Sequence, residues 1–334
     1  MYFITSKTDS ESHDLAKIAA NYLRENGMEY LLAGETPAGH RRAMDDCEMI
    51  LAIGDNKFTL ETFRKLGKLQ IPVFAIASTQ SFLAQANSLN FKRYLSLIKK
   101  KKYEIFRRAR LIAKFGKNIT PIGLNEIGLF CSRSASLLEY SLKLNNEAFW
   151  KDSSDGIVVA TPTGSTGYSF SAGGPIILGE PHILTIASIS SLEKHSPLVI
   201  ADDAKIKIAG IKGSNPTIII DGEIRVPVHA SEITVEKSPY DANFVIFSKE
   251  YSVESKLKKR TLKINIDRLK NMPASAKLVY KIFMHEGSMT QKELINASLL
   301  PERTVRYALD ALLKNSLITS QPHFTDARQT VYGI

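Results

Sequence analysis

The first part of the chain alternates short apolar runs with helical patterns. Residues 2–5 (YFIT) predict a strand, and an amphipathic helix follows that ends at Gly27. The apolar positions of this helix are Leu15, Ile18, Ala19, Tyr22 and Leu23. Further apolar runs at 30–32, 48–53 and 72–76 predict three more strands. Strands that alternate with helices favour a parallel sheet covered by helices.

From about residue 103 to 247 the pattern changes to many short strands with few helices. Residues 205–208 (KIKI) alternate with a period of two. Residues 217–220 (TIII) lead into Asp221-Gly222 and a second apolar run at 224–228, a pattern typical of a β-hairpin. This region predicts a mainly antiparallel β domain.

The last part of the chain is helical again after a polar, basic segment at 251–272, which we interpret as a linker. One helix is predicted at 274–285, and a second begins at Thr290 with Glu293 at capping-box spacing. A third helix begins after Pro301 and precedes two short strands at 317–319 and 330–332. Three helices with a hairpin predict an α+β winged helix-turn-helix.

These patterns divide the chain into four segments. They are an α/β lobe at 1–98, a β-rich lobe at 99–250, the basic linker at 251–272 and the winged helix-turn-helix at 273–334. The 334 residues are 44% hydrophobic and 23% charged, as in soluble globular proteins. The absence of an apolar run of membrane-spanning or signal-peptide length predicts a cytoplasmic protein with no membrane partner.

Charge and cysteine content narrow the possible partners. Of the net charge of +10, +7 lies in residues 251–334, which contain 14 basic and 7 acidic side chains. This asymmetry predicts a polyanionic partner for the C-terminal region. A second basic cluster at 99–102, with Arg107, Arg108 and Arg110, is interpreted as a solvated surface.

Two cysteines far apart, Cys47 and Cys131, argue against a disulfide framework and predict small buried residues.

Two stretches carry candidate chemistry. Residues 51–61 (LAIGDNKFTLE) place a polar turn between an apolar strand and a helix start, where a phosphate-binding loop would lie. Residues 155–176 (DGIVVATPTGSTGYSFSAGGPI) run from a buried strand into a loop rich in glycine and hydroxyl groups. Exposed N–H groups in such a loop favour anions, but an ordinary turn is the commoner explanation. The loop matches neither a P-loop nor a dinucleotide fingerprint.

Together with Leu124-Asn125-Glu126, these stretches resemble the signature segments of the NAD kinase family. The resemblance covers roughly residues 1–255. It implies a Rossmann-like N-terminal lobe, a β-rich second lobe and an NAD site between them. It also implies phosphoryl transfer from ATP or polyphosphate to the 2′-hydroxyl of the adenosine ribose of NAD, with a divalent metal ion such as Mg²⁺. Family members tend to form dimers or tetramers, so a homo-oligomer is expected.

The resemblance assigns roles to individual residues. Asp55 matches the aspartate that positions or deprotonates the attacking hydroxyl, and Gly54, Asn56 and Lys57 match the phosphate-donor loop. The positions implied to contact NAD are Asn125, Glu126, Asp155, Thr166, Gly167, Tyr168, Ser171 and Ala187. The metal ligands are left open. Gly167 stands where the family usually has alanine, which only removes a methyl group.

The donor loop departs from the family pattern and leaves alternatives open. Asn56 and Lys57 replace a glycine and a threonine. Lys57 either supplies charge to a donor phosphate or pairs with Asp55 and weakens it as a base. Thr59 is predicted as the N-cap of the following helix. Asp221-Gly222 resembles a late Asp-Gly-Gln of the family, but a hairpin turn accounts for it, so it is left out of the predicted site.

Two classes of function therefore compete. The first is an NAD kinase with a DNA-binding appendage, in which Arg303, Thr304 and Arg306 of the third C-terminal helix contact DNA. Phosphate contacts are expected from linker cations, namely Lys256, Lys258, Lys259 and Arg260. The alternative is a catalytically impaired transcription regulator that senses NAD or NADP with a kinase-derived domain. A docking or dimerisation role for the C-terminal region is also open.

Overall fold

The computed structural model describes residues 1–33, 46–78, 81–132, 136–247, 269, 271–322 and 330–333. The chain divides into two compact units, Met1–Val253 and Glu254–Ile334. Among the described residues, no helix has the length and apolar character needed to cross a membrane. Most of the predicted linker, with its four named cations, lies outside the described residues.

The first unit contains a seven-stranded sheet, in which six strands are joined by parallel pairings and β6 pairs antiparallel. Its strands are β1 Tyr2–Ser6, β2 Tyr30–Leu32, β3 Met49–Gly54, β4 Val73–Ala77, β5 Ala86–Asn87, β6 Glu104–Arg108 and β19 Ala242–Ile246. Their order is β2-β1-β3-β4-β19-β6, with β5 paired to β4. Every residue of β3 and β4 is buried, as expected for parallel strands covered on both faces.

Among the described residues of this unit, the sheet is covered by α1 Ser10–Glu25, α2 Asn56–Leu66 and α3 Phe91–Lys99. The predicted parallel α/β arrangement is confirmed. The prediction that Ile18 faces the core is wrong, because 47% of Ile18 is exposed. The small residues Ala16 and Ala20 are buried in its place. They let α1 pack closely on β1.

Two strands of the first sheet come from the segment predicted as the second lobe. β19 pairs parallel with β4 and antiparallel with β6. The chain therefore leaves the first sheet after Arg108 and returns to it at Ala242.

Two further sheets of six strands each form the β-rich part of the first unit. One contains β7 Leu111–Phe115, β8 Asn118–Ile119, β10 Leu138–Leu144, β11 Glu147–Ser154, β15 Ile206–Lys212 and β18 Glu232–Lys237. The other contains β9 Glu126–Cys131, β12 Gly156–Ala160, β13 Ile183–Ile189, β14 Leu198–Ala201, β16 Pro216–Ile220 and β17 Ile224–Pro227. One apolar cluster draws side chains from both sheets. All their pairings are antiparallel, which confirms the predicted β domain and the β16–β17 hairpin.

Between β12 and β13 the chain forms two short helical turns. They are a 3₁₀ turn at Thr163–Thr166 and a single α-helical turn, α4 Tyr168–Ser171.

In its described residues, the second unit has three helices and a three-stranded sheet around its own apolar cluster. The helices are α5 Ala274–Glu286, α6 Gln291–Ser298 and α7 Glu302–Lys314. The strands are β20 Met289–Thr290, β21 Thr319–Pro322 and β22 Thr330–Gly333, in the order β20-β22-β21. The capping box of Thr290 and Glu293 is confirmed. Residues 323–329, between β21 and β22, lie outside the described part.

Candidate active site

The carboxyl ends of β1 and β3 meet where the connections of the first sheet change direction. β1 pairs with β2 on one side and with β3 on the other. Ligands of open α/β sheets bind in the crevice at such a switch point. Asp55 directly follows β3, so the predicted catalytic aspartate lies at this crevice. The N-termini of α1 and α2 lie beside it and favour anions.

Both carboxylate oxygens of Asp55 are hydrogen-bonded. Oδ1 accepts from the backbone N–H of Phe58 at 2.9 Å, which makes Asp55 the N-cap of α2. Oδ2 accepts from Lys7 Nζ at 2.8 Å, and Lys7 also lies 3.6 Å from Asp9 Oδ2. Burial raises the pKa of Asp55, but the hydrogen bonds from Lys7 and Phe58 outweigh it, and the net pKa is lowered. Asp55 is therefore ionised at neutral pH.

The partner of Asp55 is Lys7 rather than Lys57. The Lys57 side chain is exposed, whereas Lys7 contacts the carboxylate from the end of β1. The other departure, Asn56, accepts from Ser81 Oγ at 2.7 Å and from the N–H groups of Phe82 and Leu83 at 2.9 and 3.1 Å. Asn56 thus fixes the segment that follows β4 against the loop.

The predicted N-cap role of Thr59 is wrong. The helix begins one turn earlier because Asp55 occupies the capping position. Thr59 is 1% exposed, and its hydroxyl donates to the carbonyl oxygen of Asp55 at 3.1 Å. Gly54 is required at the strand end, since a Cβ there would lie 2.9 Å from Phe58 Cβ.

Asn125 and Glu126 lie at the start of β9 with free acceptor atoms. Asn125 Oδ1 and Glu126 Oε2 are buried, and neither has a hydrogen-bond partner among the described residues. Leu124, the preceding residue, packs in one cluster with Phe58 and Phe63 of α2. The structure therefore places two unsatisfied oxygen acceptors close to the helix that Asp55 caps. Buried acceptors of this kind are normally paired, so they indicate a ligand with donor groups.

The glycine-rich loop packs directly on Asn125 and Glu126. The Thr161 hydroxyl donates to the carbonyl oxygen of Leu124 at 2.7 Å, and the Thr161 N–H donates to that of Asn125 at 2.9 Å. A Cβ on Gly164 would lie 2.0 Å from the carbonyl oxygen of Asn125, so this position requires glycine. A Cβ on Gly167 would lie 3.1 Å from Glu126 Oε2. Gly167 therefore borders the Glu126 carboxylate, and Thr166 precedes it at the end of the 3₁₀ turn.

Three other predicted NAD contacts, Tyr168, Ser171 and Ala187, differ in how much of each residue is exposed. Tyr168 is 44% exposed, and its ring centroid is 5.7 Å from that of Phe130. Ser171 is exposed at the end of α4, and Ala187 is fully buried in β13 opposite Val158. The exposure of Tyr168 favours a binding role over the core-packing role that is usual for an aromatic side chain.

Asp155 lies at the far end of β12 from Glu126, on the side of Phe130 and Tyr168. Ala160 pairs with Glu126, whereas Gly156, next to Asp155, pairs with Phe130 at the other end of β12. A strand rises by about 3.3 Å per residue, so Asp155 lies roughly 16 Å along the strand from Glu126. Its role in NAD binding stays a prediction.

Burial sets the electrostatics of Glu126. The residue is 6% exposed. Burial, with a smaller contribution from the charge of Asp221, raises the pKa of Glu126 to about 8. In the absence of a ligand, Glu126 is therefore largely protonated at neutral pH.

Asp221 does more than turn a hairpin. Its φ of +49° and the hydrogen bond from Glu223 N to Ile220 O confirm the turn. The side chain, however, is buried and accepts from the N–H groups of Leu124 and Asn125 at 2.9 and 2.7 Å. Asp221 therefore also holds the backbone of the segment that carries Asn125, which a hairpin turn alone does not require. The late Asp-Gly motif was the signal that could have identified it.

The basic cluster at 99–110 is solvated only in part. Lys99 to Lys102 are exposed, as predicted. Arg108 and Arg110 are buried, at 6% and 0% exposure. Arg108 lies beside the glycine-rich loop, with Nη1 3.4 Å from Thr163 Oγ1 and Nε 3.6 Å from Glu180 Oε1. The solvated interpretation was wrong for these two arginines because each has buried oxygen partners.

No cluster of three or more His, Cys, Asp or Glu side chains suited to a metal occurs within the described ranges. This is compatible with Mg²⁺, which proteins usually hold through one or two carboxylates together with substrate phosphates. Asp55 and Asp9, both within reach of Lys7, are such a pair. Cys47 is buried and Cys131 half-buried.

In the second unit, the predicted DNA contacts lie on the first turns of α7. Arg303 and Arg306 are exposed, and Thr304 is half-buried. Val305 lies between the two arginines in sequence and Ala308 follows them, and both face the core. The two arginines therefore share a solvent-facing surface.

Comparisons with known proteins agree with this geometry. Residues 124–247 match the family model described as the ATP-NAD kinase C-terminal domain. An NAD kinase from Methanothermobacter thermautotrophicus is 29% identical over 273 residues, which cover 78% of this chain and 95% of the relative. An NAD kinase from Clostridium botulinum is 32% identical over 220 residues, covering 63% of this chain and 76% of the relative.

A solved structure gives the same assignment. The crystal structure of an NAD kinase from Archaeoglobus fulgidus in complex with ATP superposes with a TM-score of 0.65 at 25% identity. The match covers 75% of this chain and 95% of that one. By sequence, by fold and by its signature segments, the chain belongs to the NAD kinase family.

Proposed function

We propose that this protein is an NAD kinase, which transfers a phosphoryl group from ATP or polyphosphate to the 2′-hydroxyl of the adenosine ribose of NAD and forms NADP. The observation that carries the proposal is the pair of buried acceptors, Asn125 Oδ1 and Glu126 Oε2, beside the glycine-rich loop. Ribose hydroxyls are donors that would satisfy them.

Asp55 is suited to orient the attacking hydroxyl. It is ionised, and it lies at the switch-point crevice beside two helix N-termini. In the reaction, the 2′-oxygen forms a bond to the terminal phosphorus of the donor while the bond from that phosphorus to its bridging oxygen breaks. The hydroxyl proton passes to a base, the role assigned to Asp55. Catalysis of phosphoryl transfer consists mainly of positioning and charge stabilisation.

Charge at the crevice supports binding of the donor. Lys7 lies between Asp55 and Asp9 and supplies a cation there. The backbone N–H groups at the start of α2 add a positive partial charge. When bound, Mg²⁺ would be held by Asp55 and Asp9 and would neutralise the donor phosphates.

An assay of the full chain tests the proposal. NADP formation is measured with NAD, Mg²⁺ and either ATP or polyphosphate, for the wild type and for Asp55→Ala and Asp55→Asn. We expect turnover by the wild type and a loss of at least about a hundredfold in both variants. No NADP from the wild type, with NAD still bound, would favour the alternative of an NAD(P)-sensing regulator. The relatives reported above are named NAD kinases and do not favour that alternative.

We further propose that the second unit is a winged helix-turn-helix that binds DNA. The support is its order of elements and the exposed Arg303 and Arg306 near the N-terminal end of α7. Arg303→Ala with Arg306→Ala is expected to weaken retention of duplex DNA in a gel-shift assay, and raised salt is expected to weaken it further. Retention unaffected by both changes would favour the docking role instead. A homo-oligomer and a cytoplasmic location stay predictions.

A further inference from the structure

A buried ion pair connects α2 to the hairpin turn between β16 and β17. Arg64 Nη1 lies 2.9 Å from Asp221 Oδ2, and the two side chains are 6% and 0% exposed. The second terminal nitrogen of Arg64 binds Glu223, whose side chain is 33% exposed. Residues 64 and 221 are 157 positions apart in the chain, so the pair joins distant segments.

The remaining polar atoms of Asp221 hold the segment that carries the unsatisfied acceptors. Oδ1 accepts from the N–H groups of Leu124 and Asn125 at 2.9 and 2.7 Å. The N–H of Asp221 donates to the carbonyl oxygen of Glu126 at 3.0 Å. One residue thus fixes the backbone on both sides of Asn125.

The helix at the other end of this connection is fixed at both termini. Asp55 caps its first turn. At its last turn, Arg110 donates to the carbonyl oxygens of Phe63 and Gly67 at 2.8 Å each. Arg110 also donates to the carbonyl oxygen of Ile122 at 3.1 Å. A shift of α2 would therefore move Asp55 and the Asn125 segment together.

We propose that Arg64 and Asp221 are positioning residues, which hold Asn125 and Glu126 in a fixed relation to Asp55. This inference rests on the proposed function, in which Asp55 acts on a nucleotide bound by Asn125 and Glu126. Neither residue needs to touch the substrate. Small displacements of a reacting group cost large factors in rate, so a rigid connection between the two parts of the site has a catalytic benefit.

Conservative variants of the full chain separate positioning from simple stabilisation. Asp221→Asn keeps an oxygen that can accept the two N–H bonds but removes the charge that pairs with Arg64. Arg64→Gln removes the other charge, and Arg64→Lys keeps it. Glu223→Gln is the matched control, because it removes the more exposed partner of the same arginine. Melting temperatures establish that each variant is folded at the assay temperature.

For Asp221→Asn and Arg64→Gln we expect the KM for NAD to rise by about tenfold or more. The double variant is expected to be no worse than the worse single variant, because the two residues act as a unit. Arg64→Lys should recover part of the loss, and Glu223→Gln should stay within about twofold of the wild type. The KM for NAD is expected to fall with rising pH until Glu126 is ionised. In Asp221→Asn the KM should reach its lower limit at a lower pH, because the negative charge of Asp221 near Glu126 is lost.

The dissociation constant for NAD, measured by calorimetry without a donor, gives a readout that does not depend on turnover. Wild-type turnover together with folded variants of unchanged KM and unchanged affinity would overturn the positioning role and leave the kinase assignment intact. Absence of wild-type turnover would overturn the kinase assignment, and the calorimetric comparison would still decide the role of the pair. If Asp221→Asn does not fold, Arg64→Lys gives the same test with a smaller expected effect.

Discussion

At the scale of single residues, the main finding is that Lys7 is the cation at Asp55. The sequence pointed to Lys57, two positions from the aspartate. Lys57 is exposed, whereas Lys7 Nζ lies 2.8 Å from Asp55 Oδ2. The contact keeps Asp55 ionised, makes it a weaker base and places a cation at the crevice.

Lys7→Ala is therefore expected to lower kcat/KM for the phosphoryl donor by about ten- to a hundredfold, because a cation in the donor crevice is lost. Lys57→Ala is expected to have the smaller effect. Initial rates with ATP and with polyphosphate check both. Lys17→Ala, which removes an exposed lysine of α1, is the matched control. A larger effect from Lys57→Ala than from Lys7→Ala would contradict the assignment.

Glu126 gives a second prediction at this scale, on pH. Its pKa of about 8 in the folded protein exceeds the 4.5 of an ordinary glutamate. Between these values the folded state holds a proton that the unfolded state has lost. The contribution of Glu126 to stability is therefore complete below about pH 4.5 and is lost as the pH rises through about 8.

Compared with Glu126→Gln, the wild type is thus expected to lose unfolding free energy, of the order of a few kcal/mol, between these two pH values. Urea unfolding of both proteins at several pH values without NAD measures the difference. A difference that stays constant with pH would contradict the shifted pKa. NAD, which brings hydroxyl donors to the carboxylate, is expected to bind more tightly as the pH approaches 8.

At the scale of elements, α2 shows which features sequence patterns can predict. The strand before it, the helix and the crevice follow from apolar periodicity and from the alternation of strands and helices. The N-cap of α2 does not follow from these patterns. Thr59 and Asp55 are both good capping residues, and only the structure shows which N–H group is bound. The contacts with Lys7 and Asp221 join segments 48 and 157 residues apart, and no local pattern encodes them.

Arg108 and Arg110 show a second limit of sequence patterns, because both were expected to be solvated and are buried. Runs of basic residues are usually solvated, and Lys99 to Lys102 conform to this. Arg110 is fully buried instead, because its guanidinium donates to backbone carbonyl oxygens of Phe63 and Gly67 at the end of α2 and to that of Ile122. The residue types in this segment do not show that backbone carbonyl oxygens will lie beside Arg110. The glycine-rich loop, by contrast, is evident in the sequence, and its Gly164 is required by close contact with the backbone of Asn125.

Arg110→Ala is expected to lower the melting temperature by well over 5 °C, because three backbone carbonyl oxygens each lose a hydrogen bond from a buried guanidinium. Thermal unfolding followed by circular dichroism measures this effect. Arg107→Ala is the matched control, since Arg107 is an exposed neighbour in β6. Equal melting temperatures for the two variants would show that the capping of α2 contributes little to stability.

At the scale of the whole molecule, the two units have separate apolar cores and separate candidate surfaces. The residues assigned to phosphoryl transfer all lie within Met1–Val253, and Arg303 and Arg306 lie within Glu254–Ile334. Leu309 of α7 is 2% exposed in the core of the second unit. A substitution there should therefore affect the second unit first.

Leu309→Ala is expected to destabilise the second unit by about 2–5 kcal/mol, because it leaves a cavity in a small core. DNA retention should fall, while the rate of NADP formation at 25 °C should stay within about twofold of the wild type, since no assigned catalytic residue is in that core. Leu299→Ala, at a position that is 89% exposed, is the control for stability. Gel-shift and kinase assays on the same preparations provide the comparison. If NADP formation falls in step with DNA retention, the two activities depend on one folding unit, and the division of labour proposed for the chain is wrong.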